Sequence, residues 1–142
     1  MKPKFSVVVP VYNKANFVKQ TIQSVLDQDF TDYELVLVND GSTDGSLQIL
    51  KAFDAPNITL LDQENQGLCA ARNAGIQAAK GEIIALLDAD DLWEPEHLQN
   101  LFELSQNSDL TWLGGRLSQF FDLTFVVKSK FQTALAPKNF ST

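Results

Sequence analysis

The chain has 142 residues, 44% hydrophobic and 20% charged, a balance typical of one globular domain with a sizeable core and not of a disordered chain. Its formal net charge of −7 disfavours a nucleic-acid partner, because proteins that bind nucleic acids usually present a basic surface. An acidic protein can still bind a nucleotide if a divalent cation screens the phosphates.

The N-terminal sequence and the single cysteine indicate in which cellular compartment the protein is expected. The N-terminal residues lack the features of a signal peptide, and no stretch has the roughly 18 consecutive apolar residues of a membrane span. A lone cysteine, Cys69, fits a reducing compartment and predicts an inert, buried thiol. We therefore expect a cytoplasmic protein, and peripheral association with the inner face of the membrane stays open.

Apolar strands alternate with helices along most of the chain. Strands are predicted at residues 5–11, 35–38, 57–61 and 83–87. A helix follows each strand, with Asn13 expected to cap the first, Ser42 or Thr43 the second, Gly81 to close the third, and Pro95 to begin the fourth. Weaker patterns suggest further strands at 111–115 and 120–127.

This order predicts an α/β fold with a mainly parallel, Rossmann-like sheet flanked by helices. Ligands bind such sheets beyond the carboxyl ends of the strands. The polar residues expected at that edge are Tyr12 and Asn13, Asn39 and Asp40, and the acidic cluster Asp88, Asp90 and Asp91.

The acidic cluster has two interpretations. Three carboxylates within four residues repel one another unless a cation or hydrogen-bond donors compensate, and hard oxygen ligands suit Mg²⁺ or Mn²⁺. The alternative is a solvated acidic turn before the last helix, and considered alone the two are equally plausible.

The segment Asp40-Gly41 also has two interpretations. It is either a turn before a capped helix, or the Asp40 carboxylate faces a base or ribose and Gly41 lets the backbone approach that ligand closely. Arg72 is either a solvated residue on a helix of small side chains or a partner for an aspartate or nucleotide group.

His97, the only histidine, has no nearby nucleophile or second histidine with which to form a triad or a zinc site. No glycine-rich dinucleotide or P-loop motif is present.

Four segments, in order, resemble the successive motifs of the family 2 inverting glycosyltransferases, which have the GT-A fold. They are residues 7–13 (VVVPVYN), 36–44 (VLVNDGSTD), 65–73 (NQGLCAARN) and 87–91 (LDADD). Each segment alone is a weak signal, whereas the ordered set is specific.

The resemblance implies the following roles. Pro10 and Tyr12 line a nucleotide pocket, Asp40 accepts a hydrogen bond from the base, usually uracil, and Arg72 reaches the base or the acidic cluster. Asp88 lies near the ribose and sugar, while Asp90, with Asp91 in support, holds Mn²⁺ or Mg²⁺ against the diphosphate of a nucleotide-sugar donor. The acceptor would be a saccharide or a lipid-linked molecule.

The family's catalytic base, a Glu/Asp motif beyond the metal cluster, has no counterpart here: the acids after Glu103 are Asp109 and Asp122, neither in a matching motif. We therefore expect a single GT-A-like domain over residues 1–142, in which 5–110 match the family and 111–142 are truncated or atypical, so that the fold is incomplete at its C-terminus.

Three functions remain open at this point: a metal-dependent glycosyltransferase, a nucleotide-sugar-binding module without turnover, and, least favoured, an unrelated nucleotidyltransferase. Self-association through an exposed sheet edge also stays open.

Overall fold

The computed structural model describes residues 1–106, 112–114 and 125–128. Six strands and four helices lie in these ranges: β1 (Phe5–Val11), α1 (Val18–Leu26), β2 (Tyr33–Asp40), α2 (Ser46–Lys51), β3 (Ile58–Gln63), α3 (Leu68–Ala78), β4 (Ile83–Leu86), α4 (His97–Gln106), β5 (Trp112–Gly114) and β6 (Phe125–Lys128). The strands form one sheet in the order β3-β2-β1-β4-β6-β5.

The first four strands pair in parallel, as the sequence predicts, with β1 between β2 and β4. Strand β6 pairs antiparallel with β4, and β5 pairs antiparallel with β6 at the edge of the sheet. Both weak strand predictions near the end of the chain thus correspond to strands, although β5 and β6 are shorter than the predicted segments.

Helices cover both faces of the sheet, because successive side chains of a strand point to opposite faces. On one face, Val7 and Val9 of β1 belong to a buried cluster shared with α1, α2 and α4. On the other face, Val8 packs with a second cluster beneath Ala71 of α3. Every residue of β1 is buried, which explains its continuous apolar sequence. The predicted α/β class and mainly parallel sheet are confirmed.

The predicted helix caps at Asn13 and at Ser42 or Thr43 are wrong. Helix α1 begins only at Val18, after Phe17, and has no side-chain cap. Helix α2 begins at Ser46 after Gly45, and the backbone N–H of Ser46 donates to Asp44 Oδ1 at 2.9 Å. Asn13 instead uses its side chain in a tertiary contact, described below, so local capping preference is overridden.

Two expectations about α3 are also wrong. The helix does not close on Gly81, since Ala79 already leaves it in an extended conformation. Cys69 is exposed, because the buried positions of α3 are Ala71 and Gly75, four residues apart on one face, and Cys69 lies two residues before Ala71 on another.

Gly81 belongs to a buried polar cluster at the amino ends of the strands. Glu34 Oε1 accepts hydrogen bonds from Ser6 Oγ at 2.6 Å, Lys80 N at 2.5 Å and Gly81 N at 3.1 Å, while Ser6 Oγ accepts a second one from Gly81 N at 2.7 Å. These bonds satisfy a carboxylate that burial would otherwise penalise, and they join β1 and β2 to the turn before β4.

Replacing Gly81 with alanine is expected to destabilise the protein by roughly 2–3 kcal/mol. A Cβ there would lie 2.6 Å from Phe5 C, Ser6 N and Ser6 Oγ, so the polar cluster would have to separate. Urea unfolding measures the loss. Gly45→Ala is the control, because its Cβ would meet only Ala15 Cβ at 3.9 Å. Equal unfolding midpoints for the two variants would contradict the expectation.

His97 begins α4 and stacks on Trp93, with ring centroids 4.5 Å apart. Burial lowers the pKa of His97 from 6.5 to about 4, and its Nε2 is buried without a hydrogen-bond partner among the described residues. The folded protein therefore keeps this imidazole neutral under conditions where the unfolded chain protonates it.

We expect stability to fall as the pH drops from about 6.5 to 4, because only the unfolded state takes up the His97 proton in that window. After discounting for the partial exposure of the His97 side chain, the expected loss in the free energy of unfolding is about 1–2 kcal/mol. His97→Phe keeps a ring against Trp93 and cannot titrate, so its unfolding free energy should decline less over this range. Parallel curves for the two proteins would contradict this assignment.

Candidate nucleotide-sugar site

A cleft of about 490 Å³ lies at the carboxyl ends of the parallel strands, where α/β sheets bind ligands. Its walls come from the last residues of β1 and β2, from the segments that follow β1, β3 and β4, and from the first turn of α3. The lining residues are Pro10, Val11, Tyr12, Lys14, Asp40, Asn65, Gly67, Leu68, Ala71, Asp88, Ala89 and Asp90.

The turn after β1 is fixed to the loop between β2 and α2. Asn13 has a positive φ of 53°, and its Oδ1 accepts hydrogen bonds from Thr43 N at 2.8 Å and Asp44 N at 3.3 Å. Asp44 Oδ2 in turn accepts from Ala15 N at 3.0 Å. A hydrogen bond from the Ser46 hydroxyl is the main cause of the lowered pKa of Asp44. These contacts hold the two loops together.

Asp40 is almost completely buried and organises the loop before α3. Its Oδ1 accepts hydrogen bonds from Gln63 Nε2 at 2.8 Å and Gln66 N at 2.9 Å. Its Oδ2 accepts one from Gly67 N at 2.9 Å. The carboxylate therefore holds together the ends of β2 and β3 and the first residue before α3, besides contributing to the cleft.

Gly41 permits this arrangement. Its φ is +68°, and a Cβ at this position would lie 2.6 Å from Asn65 N. The sequence suggested that glycine here lets the backbone approach a ligand. The close approach is in fact to the backbone of the next loop.

The acidic cluster forms a turn after β4, in which Asp91 N donates to Asp88 O at 3.0 Å. Arg72 Nη2 lies 2.6 Å from Asp88 Oδ1. The resemblance implied that Arg72 reaches either the base or the acidic cluster, and the structure has the contact to the acidic cluster. Its Nε is buried and lacks a hydrogen-bond partner within the described ranges, which leaves Arg72 a donor to spare.

Lys14 forms the second ion pair of this region. Its Nζ lies 2.6 Å from Asp90 Oδ2, and both side chains are partly exposed. Sequence reasoning missed Lys14, because one lysine beside a motif is indistinguishable from an ordinary surface lysine. Only the fold brings it to a residue 76 positions away.

The structure thus brings together Pro10, Tyr12, Asp40, Asp88 and Asp90 as cleft residues. Two predicted residues are not part of the cleft lining. Arg72 supports Asp88 from α3, and Asp91 is half-buried in the turn.

The carboxylates of the cleft fit a hard divalent cation that takes only one or two of its ligands from the protein. No three His, Cys, Asp or Glu side chains converge on a metal position within the described residues, so the protein alone does not supply a full ligand cage there. Mg²⁺ and Mn²⁺ commonly take one or two carboxylates, the remaining ligands being water and phosphate oxygens. Asp90 already binds a cationic group, the Lys14 ammonium, which indicates that this position favours positive charge.

Comparison with known proteins identifies the family. The model of "Glycosyl transferase family 2" matches residues 6–138. The chain belongs to this family. The glycosyltransferase alr2836 of Nostoc sp. is 46% identical over 110 residues, covering 75% of this chain and 34% of that protein. YibD of Escherichia coli, also named a glycosyltransferase, is 38% identical over 109 residues, with 75% and 32% covered.

Solved glycosyltransferase structures share the fold. TarS of S. aureus, solved alone and in complexes with UDP and with UDP-GlcNAc, superposes with a TM-score of 0.79 over 92% of this chain and about half of the solved one, at 24% identity. The mannosyltransferase PcManGT of Pyrobaculum calidifontis, in complex with GDP-Man and Mn²⁺, has the same TM-score over 96% of this chain and 47% of that one, at 25% identity. The predicted GT-A type of fold is confirmed.

The chain spans about a third of the length of these two curated relatives. Within the described residues, no helix is long and apolar enough to cross a membrane.

Proposed function

We propose that this family 2 glycosyltransferase chain carries the donor site of an enzyme that transfers a sugar, with inversion and with the help of a divalent cation, from a UDP-sugar to an acceptor hydroxyl. One observation carries the proposal: a single cleft at the strand ends has Asp40 and Tyr12 among its lining residues together with the carboxylates of Asp88 and Asp90. A nucleotide-sugar needs both kinds of surface, one for the base and one for the charged diphosphate.

The hydrogen bonds of Asp40 favour uracil over guanine. A carboxylate has about four acceptor positions, and three are taken by Gln63 Nε2, Gln66 N and Gly67 N. One position on Oδ2 remains for a ligand. Uracil offers a single donor, N3–H, whereas guanine presents two adjacent donors, N1–H and N2–H, that require both carboxylate oxygens.

Two apolar surfaces complete the proposed base position. Tyr12 lines the cleft and is 47% exposed, so its ring is free to contact a planar base. Pro10 lies in the wall two residues earlier. We assign both residues to the nucleotide, together with Asp40.

The part of the cleft formed by Asp88 and Asp90 would receive the sugar and diphosphate. Asp88 is assigned to the ribose and sugar, held in place by Arg72, and Asp90 to the cation, with Asp91 as the supporting residue of the same turn. A bound Mn²⁺ or Mg²⁺ supplies Lewis-acid neutralisation of charge on the departing diphosphate. The Mn²⁺ and GDP-Man complex of PcManGT supports a divalent cation in this fold.

We further propose that residues 1–142 belong to one domain of a cytoplasmic enzyme, peripheral to the inner face of the membrane where its acceptor is lipid-linked. Its acceptor would be a saccharide or a lipid-linked molecule in polysaccharide biosynthesis. These assignments follow from family resemblance and concern the whole protein.

Thermal unfolding with nucleotides tests the donor site. A ligand that binds only the folded state stabilises it by about 2.7 kcal/mol at one hundred times its Kd. UDP with Mn²⁺ is therefore expected to raise the melting temperature by several degrees, and UDP with EDTA by much less. No shift with UDP or UDP-sugars in the presence of Mn²⁺ would overturn the proposal.

One observation favours a second candidate, a donor-binding module without turnover. All three cleft carboxylates are engaged by donors: Asp40 by three N–H groups, Asp88 by Arg72 and Asp90 by Lys14. The cleft lining of the described residues therefore contains no carboxylate without a partner that could serve as the acceptor-side base. Sugar transfer that Asp90→Asn abolishes would exclude this candidate, whereas tight UDP binding without transfer or donor hydrolysis would favour it.

A further inference from the structure

Lys14 is anchored at the cleft by its backbone. Its N–H donates to Ser46 Oγ at 2.9 Å, and its carbonyl accepts from Phe17 N and Val18 N, both at 2.9 Å. Both neighbouring residues bind the loop before α2. The main chain at Lys14 is thus held from both sides, and only its side chain can readily change position.

The turn that carries Asp90 is held independently. Ala89 is buried, and its carbonyl accepts a hydrogen bond from Thr21 Oγ1 of α1 at 2.9 Å. The 2.6 Å contact between Lys14 Nζ and Asp90 Oδ2 therefore joins two fixed backbones through two partly exposed side chains. Such a pair is weak, with a worth of about 0–1 kcal/mol, so a ligand can readily replace it.

The charged side chains near the cleft carry an excess of negative charge. Asp40, Asp88 and Asp90 are opposed by Lys14 and Arg72. A diphosphate entering beside these three carboxylates would be repelled unless more positive charge accompanied it.

We propose that Lys14 is an internal counter-ion, which occupies the cation position at Asp90 in the free protein and transfers to the diphosphate when a divalent cation and the nucleotide bind. The inference rests on the proposed function. The ammonium and the cation compete for the same carboxylate, and the diphosphate offers the displaced ammonium a new anionic partner. Lys14 is thereby a positioning residue that makes the cation and the nucleotide bind cooperatively.

This competition has a thermodynamic signature. If Lys14 blocks Asp90 in the absence of nucleotide, Mn²⁺ alone binds weakly. Once the diphosphate takes the ammonium, Mn²⁺ binds more tightly, and by linkage the nucleotide gains the same factor from Mn²⁺. Removing the ammonium should strengthen binding of Mn²⁺ alone and reduce the factor by which UDP increases Mn²⁺ affinity.

The test compares Lys14→Gln with wild type and with Lys51→Gln. Lys51 is exposed at the end of α2, so this control removes the same charge away from the cleft. Mn²⁺ affinity is measured by electron paramagnetic resonance of the free ion, with and without saturating UDP. We expect Lys14→Gln to bind Mn²⁺ alone roughly three- to fivefold more tightly than wild type, and its UDP-dependent gain to fall by a similar or larger factor.

Unfolding curves establish that the variants are folded before binding is measured. If Lys14→Gln and Lys51→Gln bind Mn²⁺ alone within twofold of wild type, while wild type still binds UDP with Mn²⁺, the counter-ion role is overturned and the proposed function stands. If wild type fails to bind UDP under all conditions, the proposed function is overturned, and the counter-ion role with it.

Discussion

Asp90→Asn is expected to raise the Kd for UDP in the presence of Mn²⁺ by about 100-fold, equivalent to about 2.7 kcal/mol. Asp90 is the cleft carboxylate paired with the partly exposed Lys14 ammonium, and a neutral amide is a poor ligand for a hard cation. Without the cation, the diphosphate meets the carboxylate of Asp88 with no added positive charge to offset the repulsion. Calorimetric titration of UDP with Mn²⁺ and with EDTA measures the effect.

The loss should be confined to the cation-dependent part of the affinity. With EDTA, Asp90→Asn should bind UDP as well as wild type or better, because one negative charge has been removed from the cleft. Asp54→Asn is the matched control, since Asp54 is exposed and outside the cleft lining. An equal loss with and without Mn²⁺ would contradict the metal assignment of Asp90.

Asp40→Asn is expected to have two separable effects. The first is on folding: an amide offers one oxygen in place of two, so at least one of the N–H groups from Gln66 and Gly67 loses its acceptor. An unsatisfied buried donor costs about 1–3 kcal/mol, and urea unfolding should show a loss of this size. The second is on UDP affinity, which should fall about 10- to 100-fold because the acceptor for the base is lost.

Asp62→Asn is the control for Asp40→Asn. Asp62 is an exposed carboxylate on the neighbouring strand β3, and it accepts one hydrogen bond, from Asn39 Nδ2 at 2.7 Å. An asparagine keeps an oxygen for that bond, so stability and UDP affinity should change little. Unchanged UDP affinity in a folded Asp40→Asn variant would contradict the assignment of Asp40 to the base.

The sequence predicted the sheet well where burial dominates. Strand β1 matches its predicted bounds because all seven of its residues are buried, which produces the uninterrupted apolar run that marks a central parallel strand. Strand β2 was predicted from residue 35 and begins at Tyr33. Glu34 interrupts the apolar pattern at this end of the strand, and the Ser6 and Gly81 donors that satisfy its carboxylate are remote in sequence.

The helix starts were predicted poorly because their polar residues serve tertiary contacts. Asn13 has the composition of an N-cap, yet its side chain holds the loop at Thr43 and Asp44. A cap preference is worth about 1 kcal/mol, which several tertiary hydrogen bonds can exceed. The preference of a short window could not reveal a partner 30 residues away.

In the candidate site, too, the sequence predicted where residues lie better than it predicted their contacts. The positions of Tyr12, Asp40, Asp88 and Asp90 at one edge followed from strand order alone, since carboxyl ends of parallel strands meet there. What each side chain does depends on its partners: the donors on Asp40 come from residues 63–67, and the cation on Asp90 comes from Lys14. Both sets of partners are assembled only by the fold.

Calorimetric titration of the wild-type chain with UDP and with GDP, each in the presence of Mn²⁺, tests the proposed donor site most directly. One free acceptor position on Asp40 leads us to expect UDP to bind at least about tenfold more tightly than GDP, the equivalent of one neutral hydrogen bond. Chelation of Mn²⁺ should weaken UDP binding. Equal affinities for the two nucleotides would contradict the uracil assignment, and no binding of either would contradict the donor site itself.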